Sequence, residues 1–209
     1  MAARKAGKFY VVWKGRQPGV YAAWAECEAQ VKGYPGAEYK AFPTREMAEA
    51  AWQESYAAHR GKNTAAQQWL FAPNPPVTPS LCVDAACSGV PGPVEYRGVR
   101  LPEGEQVFRQ GPFPGGTNNI GEFLALVHAL AWLHRRGLDW PVYSDSSTAL
   151  AWVRAGKCRT EVERTPENET LFALVARAEA WLEEHGLTNP VYKWDTQAWG
   201  EIPADFGRK

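Results

Sequence analysis

One acidic residue interrupts an otherwise apolar run, Leu81-Cys82-Val83-Asp84-Ala85-Ala86-Cys87. A nearly continuous apolar run of this length is typical of a central strand that is covered on both faces of its sheet. Because side chains alternate along a strand, Asp84 shares its face with Cys82 and Ala86, which cannot neutralise it. Burying a carboxylate in an apolar setting is costly unless a partner compensates its charge. The run therefore predicts a sheet with two covered faces and an acid that needs a partner.

The segments after this run predict a mixed α/β domain over residues 81–209. Apolar periodicity and turn residues define the further elements. They are strands near Val94–Val99, Gln106–Gln110, Trp140–Ser144 and Val191–Trp194, and helices near Asn119–Arg136, Ser146–Ala155, Pro166–His185 and from Pro203 onward. This order indicates a mixed five-stranded sheet with helices on both faces.

A small α+β domain is predicted over residues 1–62, before a stiff linker. Runs rich in aromatic and β-branched residues predict three strands, and apolar spacing and the capping residue Thr44 predict two helices. The strands lie near Phe9–Trp13, Val20–Tyr21 and Glu38–Phe42, and the helices begin at Ala23 and after Thr44, the second ending near His59. Residues 63–80 are predicted to be the linker, because Pro73-Asn74-Pro75-Pro76-Val77-Thr78-Pro79 favours an extended chain.

Charge is divided unevenly between these domains, although the formal net charge of the chain is zero. Residues 1–62 hold ten Lys or Arg and six Glu, a balance of +4, and the remainder holds thirteen basic and seventeen acidic residues, a balance of −4. A basic domain attracts polyanions, whereas an acidic one concentrates carboxylates. The sequence thus suggests a division of labour between the two domains.

The cysteines and the first residues of the chain indicate the cellular compartment of the protein. Cys27, Cys82, Cys87 and Cys158 form no Cys-x-x-Cys pair, and no histidine lies at zinc-site spacing, so buried reduced thiols are expected. The first residues lack the apolar core of a signal peptide, and no run of about 18 apolar residues could span a membrane. We therefore expect a cytoplasmic protein without a membrane partner.

Four acids of the second domain are the predicted chemical centre. Asp84 lies on the central strand, and Glu122 lies early in the long helix, on one stripe with apolar residues four, seven and eleven positions later. Asp145 directly follows an apolar strand, at the carboxyl end where α/β sheets place ligands. Asp205 belongs to the predicted last helix. The nearest basic residue in sequence is Arg208, three residues beyond Asp205.

Each acid taken alone has an ordinary alternative interpretation. An aspartate at a strand end is commonly a helix cap or an ion-pair partner, and a glutamate in a first helical turn stabilises the helix dipole. Three acids that point to one region of a sheet, with a fourth on the final helix, are harder to explain in that way. If they converge, a cation must offset their repulsion, and hydrated Mg²⁺ or Mn²⁺ is suited because it prefers carboxylate oxygens.

The segments around these acids resemble the Asp-Glu-Asp-Asp site of type 1 ribonucleases H, over residues 81–209. Asp84 stands in Val-Asp-Ala-Ala, Glu122 in Thr-Asn-Asn-Ile-Gly-Glu-Phe-Leu-Ala-Leu, Asp145 in Tyr-Ser-Asp-Ser and Asp205 in Trp-Gly-Glu-Ile-Pro-Ala-Asp-Phe-Gly-Arg-Lys, at intervals of 38, 23 and 60 residues. The resemblance implies a ribonuclease H-like mixed sheet with helices on both faces.

The N-terminal module separately resembles the hybrid-binding domain that precedes the nuclease in many such enzymes. The segments that carry this likeness are Phe-Tyr-Val-Val-Trp-Lys-Gly-Arg, Gly19-Val20-Tyr21, the helix from Trp24 to Val31, and Tyr34-Pro35-Gly36-Ala37 with Tyr39, Lys40 and Phe42. Two separate resemblances, in the order that such enzymes use, support each other.

The resemblance implies an endoribonuclease that hydrolyses the RNA strand of RNA–DNA hybrids and leaves 5′-phosphate and 3′-hydroxyl ends. Two Mg²⁺ ions, or Mn²⁺ in their place, would be held ~4 Å apart by Asp84, Glu122, Asp145 and Asp205. Glu122 would also meet a ribose 2′-hydroxyl, and Glu201, on one helical face with Asp205, would assist product release. No organic cofactor is implied, and we expect a monomer.

Contacts to the DNA strand carry over from the family at several positions. Thr117, Asn119 and Thr160 match a pocket that grips a DNA-strand phosphate. Helix capping is the alternative interpretation of Thr117 and Asn119. Trp152 either stacks on a DNA sugar or belongs to the hydrophobic core.

Other contacts involve the RNA strand and the N-terminal domain. Asn118 and the Gly89 backbone match contacts to the RNA minor groove. In the small domain, Trp24 and Tyr39 would stack on sugars of the DNA strand. Its phosphate contacts would be Lys14, Arg16 and Lys40, for which solvated surface charge is the alternative interpretation.

The sequence also departs from the family pattern. Ala41 stands where the module often has a second lysine, and Thr165–Trp181 is acidic where some relatives have a basic protrusion. The family's mobile histidine is missing, since His185 is predicted to be helical and remote. Two rival functions stay open: a non-catalytic hybrid-binding protein with a decayed nuclease fold, and a transposase-type DNA nuclease. The intact carboxylates argue against the first, and the hybrid-binding module argues against the second.

Overall fold

A computed structural model describes residues 8–59, 69–70 and 72–207. The chain divides into two compact units, one of Met1–Pro75 with Ala198–Gly200 and the other of Pro76–Gln197 with Glu201–Lys209. Residues 63–68 and 71 of the predicted linker lie outside the described residues, and the boundaries predicted at residues 62 and 81 stay a prediction. Within the described ranges, no helix combines the length and the apolar character that crossing a membrane requires.

The first unit contains a three-stranded antiparallel sheet in the order β2-β1-β3. Its elements are β1 (Phe9–Lys14), β2 (Gly19–Tyr21), α1 (Trp24–Val31), β3 (Glu38–Phe42), α2 (Arg45–Trp52) and α3 (Tyr56–His59). The three predicted strands are confirmed. The second predicted helix is divided in two, because α2 ends at Trp52 and α3 begins only at Tyr56.

Two adjacent valines of β1 organise the packing of this unit. Successive side chains of a strand point to opposite faces, so Val11 packs with residues of α2 while Val12 packs with residues of α1. The Thr44 hydroxyl accepts a hydrogen bond from the Met47 N–H over 3.3 Å, as expected of an N-cap. The small sheet is therefore covered by α2 on the Val11 face and by α1 on the Val12 face.

The second unit contains a five-stranded mixed sheet in the order β6-β5-β4-β7-β8. Its elements are β4 (Ser80–Cys87), β5 (Gly92–Leu101), β6 (Glu105–Gly116), α4 (Asn118–His134), β7 (Val142–Ser144), α5 (Ser147–Arg154), α6 (Glu169–His185), β8 (Val191–Lys193) and α7 (Thr196–Trp199). Strands β4 to β6 are antiparallel neighbours, whereas β7 runs parallel to β4 and β8 parallel to β7. The predicted five-stranded mixed sheet with helices, preceded by a small three-stranded domain, is confirmed.

Alternation along β4 separates the hydrophobic core from the acidic side chain. Leu81, Val83 and Ala85 share one hydrophobic cluster with residues of α4, α5 and α6. Asp84 belongs to the opposite set, and its register partner on β5 is Arg97. The strand therefore buries its apolar residues under the helices and turns Asp84 to the other face.

The chain beyond α7 differs from the prediction. A short helix was expected from Pro203, on which Glu201 and Asp205 would share a face. This expectation is wrong, because residues 203–204 form a turn in which the Asp205 N–H donates to the Ile202 carbonyl over 2.8 Å. Gly207 adopts a left-handed φ of 66°, so a right-handed helix could not continue through it. The residues from Pro203 to Gly207 are too few to offset the cost of nucleating a helix.

Helix α4 approaches the sheet closely at Gly121. A Cβ atom at this position would lie 2.6 Å from Val94 Cγ2 and 2.7 Å from Ala85 Cβ. Such distances are too short for carbon atoms, so only glycine permits this separation between helix and sheet. Since Glu122 is the next residue, the same close approach sets how far its carboxylate reaches toward β4.

We predict that Gly121→Ala destabilises the protein by roughly 1–3 kcal/mol, because the added methyl overpacks the contact between α4 and the sheet. Replacing glycine by alanine in an open helix instead stabilises by up to ~1 kcal/mol, so the sign is diagnostic. Urea unfolding would measure the change, with Thr170→Ala on the exposed side of α6 as control. Unchanged or increased stability of Gly121→Ala would refute the close contact.

Candidate metal centre and nucleic-acid interface

Three of the predicted acids converge on one spot in the second unit. Asp84 comes from the middle of β4, Glu122 from the first turns of α4, and Asp145 from the residue after β7. Carboxylate oxygens of these residues all lie within 4.8 Å of one another. The parallel pairing of β4 with β7 places Cys82 beside Tyr143, which brings the end of β7 to Asp84.

Burial makes the negative charges of this cluster costly. Asp84 is 7% exposed and Glu122 is 6% exposed. Burial, followed by the charge of Asp145, raises the pKa of Asp84 to about 7. Burial also raises the pKa of Glu122 to about 7, with Asp145 adding to the shift, and it raises the pKa of Asp145. The site therefore strongly favours any cation that can share the three carboxylates.

Neighbouring polar groups orient these carboxylates. The Asn118 side-chain amide donates to Glu122 Oε1 over 2.8 Å, one helical turn away. The Ser146 side chain hydrogen-bonds Glu122 and thereby lowers its pKa, while the Ser146 oxygen also accepts from the Ala149 N–H to cap α5. The Phe206 N–H donates to Asp84 Oδ2 over 3.3 Å. Glu122 is thus held from two directions before any ligand arrives.

Two basic side chains approach the cluster, and sequence inspection missed both. Lys193 Nζ donates to the Asp145 carbonyl oxygen, and its charge lowers the pKa of Asp145 and of Glu122. Arg97 lies opposite Asp84 in the β4–β5 register. The register of neighbouring strands could have identified them, since β8 pairs Lys193 with Ser144. These cations relieve part of the repulsion, yet the pKa values of all three acids stay raised.

The fourth predicted acid, Asp205, lies beside the cluster rather than within it. It is not among the three acids within 4.8 Å of one another, but its charge raises the pKa of Asp84 and of Asp145. Its Oδ2 accepts from the Gly207 N–H over 3.0 Å. Glu201 is exposed, and its charge also raises the pKa of Asp145, so it lies near the site although the helix expected to place it is absent.

Arginine side chains anchor the segment that carries Asp205. Arg97 donates from Nε to the Ala204 carbonyl over 2.7 Å and from a terminal nitrogen to the Asp205 carbonyl. Its guanidinium also lies 4.7 Å from the centre of the Phe206 ring, on which Arg109 approaches to 5.5 Å. Arg109 in turn pairs with the buried Glu95. Side-chain anchors replace the predicted helix here.

The donor set fits a hard divalent cation. Its atoms are carboxylate oxygens, which Mg²⁺ and Mn²⁺ prefer, and no cysteine or histidine belongs to the group that the described residues form. The cluster is buried, converging and only partly neutralised. Asp84, Glu122 and Asp145 could therefore hold a metal ion, and Asp205 lies near enough for its charge to act on Asp84 and Asp145.

A cleft of about 820 Å³ begins beside this cluster, at the start of α4. Most of the substrate contacts predicted for this domain line it: Thr117, Asn118, Asn119, Trp152 and Thr160. Gly89 is not among the lining residues, although its neighbours Val90 and Pro91 are. Arg159 also lines the cleft. It was missed in the sequence, where its only signal is its position next to Thr160.

The capping alternative does not describe Thr117. This residue is the N-cap of α4, yet its side chain makes no capping hydrogen bond. Thr160 Oγ1 accepts from the Val162 N–H over 3.2 Å. Trp152 is partly buried with its ring 6.4 Å from that of Phe123, so it both packs on the core and faces the cleft. The Thr117 hydroxyl is available to a ligand.

The first unit presents an aromatic surface. Trp24 and Tyr39 are 43% and 41% exposed, and their ring centres are 5.9 Å apart. Tyr10 supports Trp24 from 5.4 Å. An exposed pair of large rings is unusual on a protein surface and offers a stacking platform.

The three basic residues predicted to contact phosphates in this unit differ in the hydrogen bonds that their side chains make. Lys14 is exposed. Arg16 donates to the carbonyls of Ala29 and Lys32 over 3.0 and 2.9 Å, and Lys40 Nζ donates to the His59 carbonyl. Arg16 thus stabilises the end of α1, which sequence inspection had not anticipated.

Fold and site together define a class: a mixed-sheet α/β domain with three converging carboxylates, joined in sequence to a small module with an aromatic surface. Residues 8–52 match the sequence family described as "Ribonuclease H1 N-terminal domain". The predicted resemblance to type 1 ribonucleases H with such an N-terminal domain is confirmed.

Known relatives cover limited stretches of the chain. "Ribonuclease H" of Crithidia fasciculata is 51% identical over 49 residues, 23% of this chain and 10% of that protein. "Ribonuclease H" of Saccharomyces cerevisiae is 50% identical over 46 residues, which are 22% of this chain and 13% of that protein. Human "Ribonuclease H1" is 43% identical over 53 residues, which are 25% of this chain and 18% of that protein. The chain therefore matches less than a fifth of the length of each.

Solved structures give weaker likenesses. LC11 ribonuclease H1, isolated from compost, has a TM-score of 0.38 and 20% identity over 56% of this chain and 85% of its own. Ribonuclease H1 of Halobacterium salinarum has a TM-score of 0.35 and 24% identity over 55% of this chain and 83% of its own. The fold is assigned from the strand order and register described above.

We predict that Asp84→Asn stabilises the metal-free protein at about pH 8 by roughly 1–3 kcal/mol, given ~1.4 kcal/mol per unit of pKa shift. The native pKa of Asp84 is about 7, against an ordinary 3.8, so the native state binds the extra proton as the pH falls. The unfolding free energy of the wild type therefore rises toward acid, and its difference from Asp84→Asn should shrink by about pH 6.

Chemical denaturation in the presence of a chelator, at stepped pH, would measure this difference. Asp139→Asn is the matched control, because Asp139 is exposed. A variant that is less stable than wild type at pH 8, or a difference independent of pH, would show that Asp84 carries no buried negative charge.

Proposed function

We propose that this protein is a type 1 ribonuclease H, an endonuclease that hydrolyses the RNA strand of RNA–DNA hybrids with divalent metal ions. The observation that carries this proposal is the convergence of Asp84, Glu122 and Asp145 within 4.8 Å. Its support is the match of residues 8–52 to ribonuclease H1 N-terminal domains.

Asp84, Glu122, Asp145 and Asp205 would hold two Mg²⁺ ions, which Mn²⁺ could replace. When bound, such ions supply a nucleophile from water and stabilise the charge on the departing 3′ oxygen, which gives 5′-phosphate and 3′-hydroxyl ends. The raised pKa of Asp84 and of Glu122, about 7 for each, means that protons compete with the ions below neutral pH.

The remaining residues of the site position these groups and the substrate. Asn118 holds Glu122 Oε1, so its amide fixes the carboxylate that would meet the ribose 2′-hydroxyl, the group that distinguishes RNA from DNA. Arg97 and Phe206 hold Asp205 at the edge of the cluster. Glu201 is exposed and close enough to influence Asp145, which suits a group that assists the release of product.

The cleft at the start of α4 would take the DNA strand. Thr117, Asn119 and Thr160 line it and would bind a phosphate through hydroxyl and amide donors, with Trp152 against a sugar. Arg159 lines the same cleft together with Glu161, Glu163 and Glu167, and its guanidinium would bind the phosphate directly. Asn118 and the backbone near Gly89 would contact the RNA minor groove.

The first unit would raise affinity for the hybrid. Trp24 and Tyr39 form the stacking surface, and Lys14 offers an exposed ammonium for phosphates. Arg16 and Lys40 donate to backbone carbonyls, which leaves Lys14 as the main candidate for an electrostatic contact. We further propose that the protein acts in the cytoplasm and as a monomer.

Asp145→Asn should abolish cleavage, because it removes one of the three converging carboxylates. The assay follows labelled RNA–DNA hybrid, RNA duplex and DNA duplex in Mg²⁺, with end analysis of the products. We expect wild-type cleavage of the hybrid alone and a loss of at least about 100-fold in Asp145→Asn, on the scale of losing ~3 kcal/mol of transition-state stabilisation. Asp139→Asn should cleave like the wild type.

The other substrates test the rival functions. Equal cleavage of DNA duplex would identify a transposase-type nuclease, and hybrid binding without cleavage by the wild type would identify a decayed enzyme. Either result contradicts the proposed function.

Trp24→Ala should weaken hybrid binding by roughly 5- to 150-fold, since aromatic stacking in complexes with nucleic acids contributes ~1–3 kcal/mol. The effect should appear in KM with kcat unchanged, because Trp24 belongs to the first unit and the acids to the second. Trp52→Ala, at a second exposed tryptophan of the same unit, is the control. A fall in kcat with unchanged KM would refute this role.

A further inference from the structure

A second cavity, of about 390 Å³, opens between α4, α6 and the sheet. Its volume falls within the range of sites that bind small organic molecules. The acids described above do not line it, and neither do the residues of the cleft at the start of α4. It is therefore a feature that the nuclease reaction leaves unexplained.

Part of the lining of this cavity is apolar and aromatic. Leu124 of α4 and Leu174 of α6 line it, and Trp181 lines it further along α6. His128 contributes a flat surface, because its ring stacks on Phe108 at 4.0 Å with an angle of 13° between the planes. A planar apolar group would find matching surfaces here.

Each polar side chain of the lining either carries a positive charge or can donate a hydrogen bond at neutral pH. Arg135 and Arg177 both line the cavity, and within the described ranges neither forms an ion pair or a side-chain hydrogen bond. Gln110 adds an amide. Burial, with the charges of the two arginines, lowers the pKa of His128 to about 4, so its ring is neutral. No acidic side chain appears among the described residues of the lining.

Tyr96 adds a further polar group to the lining of the cavity. Its side chain is 4% exposed, and its hydroxyl makes no hydrogen bond to the described residues. Burial raises its pKa to about 12, while Arg177 opposes the shift, so the hydroxyl keeps its proton and can donate it.

From this arrangement we infer that the cavity binds an organic anion with a planar aromatic body and one carboxylate or phosphate group. The acidic group would lie between Arg135 and Arg177 and accept from Tyr96, and the body would lie against Trp181 and the His128 ring. Guanidinium groups that lack a protein partner are well suited to such an anion. The inference stands apart from the nuclease activity and needs no metal.

Titration calorimetry on the full chain, in a chelator, would test it with four probes. 1-Naphthoate and 1-naphthyl phosphate carry both features and differ in the acidic group. 1-Naphthamide keeps the body without the charge, and inorganic phosphate keeps the charge without the body. We expect one or both of the aromatic anions to bind at least tenfold more tightly than 1-naphthamide and than inorganic phosphate.

Variants locate the site. Arg177→Gln and Tyr96→Phe should each weaken binding of the preferred anion by at least threefold, whereas Arg136→Gln should not, because Arg136 stacks on Trp132 outside the cavity. Chemical-shift changes should fall on Leu124 and Leu174. Equal affinity for 1-naphthamide, equal effects of the two arginine variants, shifts confined to Trp152 and Thr160, or no binding at millimolar probe would each overturn the inference.

Discussion

The second unit depends on keeping three carboxylates together in a largely buried place. Asp84, Glu122 and Asp145 come from a strand, a helix and a strand end, and their oxygens lie within 4.8 Å of one another. Burial and mutual repulsion both disfavour the charged forms of these carboxylates, so without compensation they would move apart or bind protons. The Asn118 amide, which donates to Glu122, and the positive charge of Lys193 compensate part of this negative charge. A divalent cation would complete the compensation.

Backbone features place these acids as firmly as side-chain contacts do. Parallel pairing of β7 with β4 brings Asp145 to Asp84, and Gly121 lets α4 approach β4 and β5 closely enough for Glu122 to join them. Asp205 reaches the same region by another route, because Arg97 binds the carbonyls of its segment. The last acid is therefore held by a cross-strand arginine, in a stretch without helical hydrogen bonds to fix it.

Sequence patterns predicted the elements that bear the site, since their signals are local. The apolar run around Asp84 and the stripe that includes Glu122 each follow from a period of two or 3.6 residues. The positions of Lys193 and Arg97 could not be found in this way. Both depend on the register between strands that are distant in the chain, and the predicted helix at Pro203 failed because Gly207 ends the segment early. Arg16 shows the same limit, because its bonds to the end of α1 depend on tertiary contact.

A metal ion shared by the three converging carboxylates would be visible in a crystal. Crystals of the full chain soaked in Mn²⁺, with diffraction recorded at the manganese absorption edge, would locate the ion directly. We expect an anomalous peak bonded to oxygens of Asp84, Glu122 and Asp145, with any second peak toward Asp205. Manganese bound elsewhere, with these three carboxylates left without an ion at millimolar Mn²⁺, would contradict it.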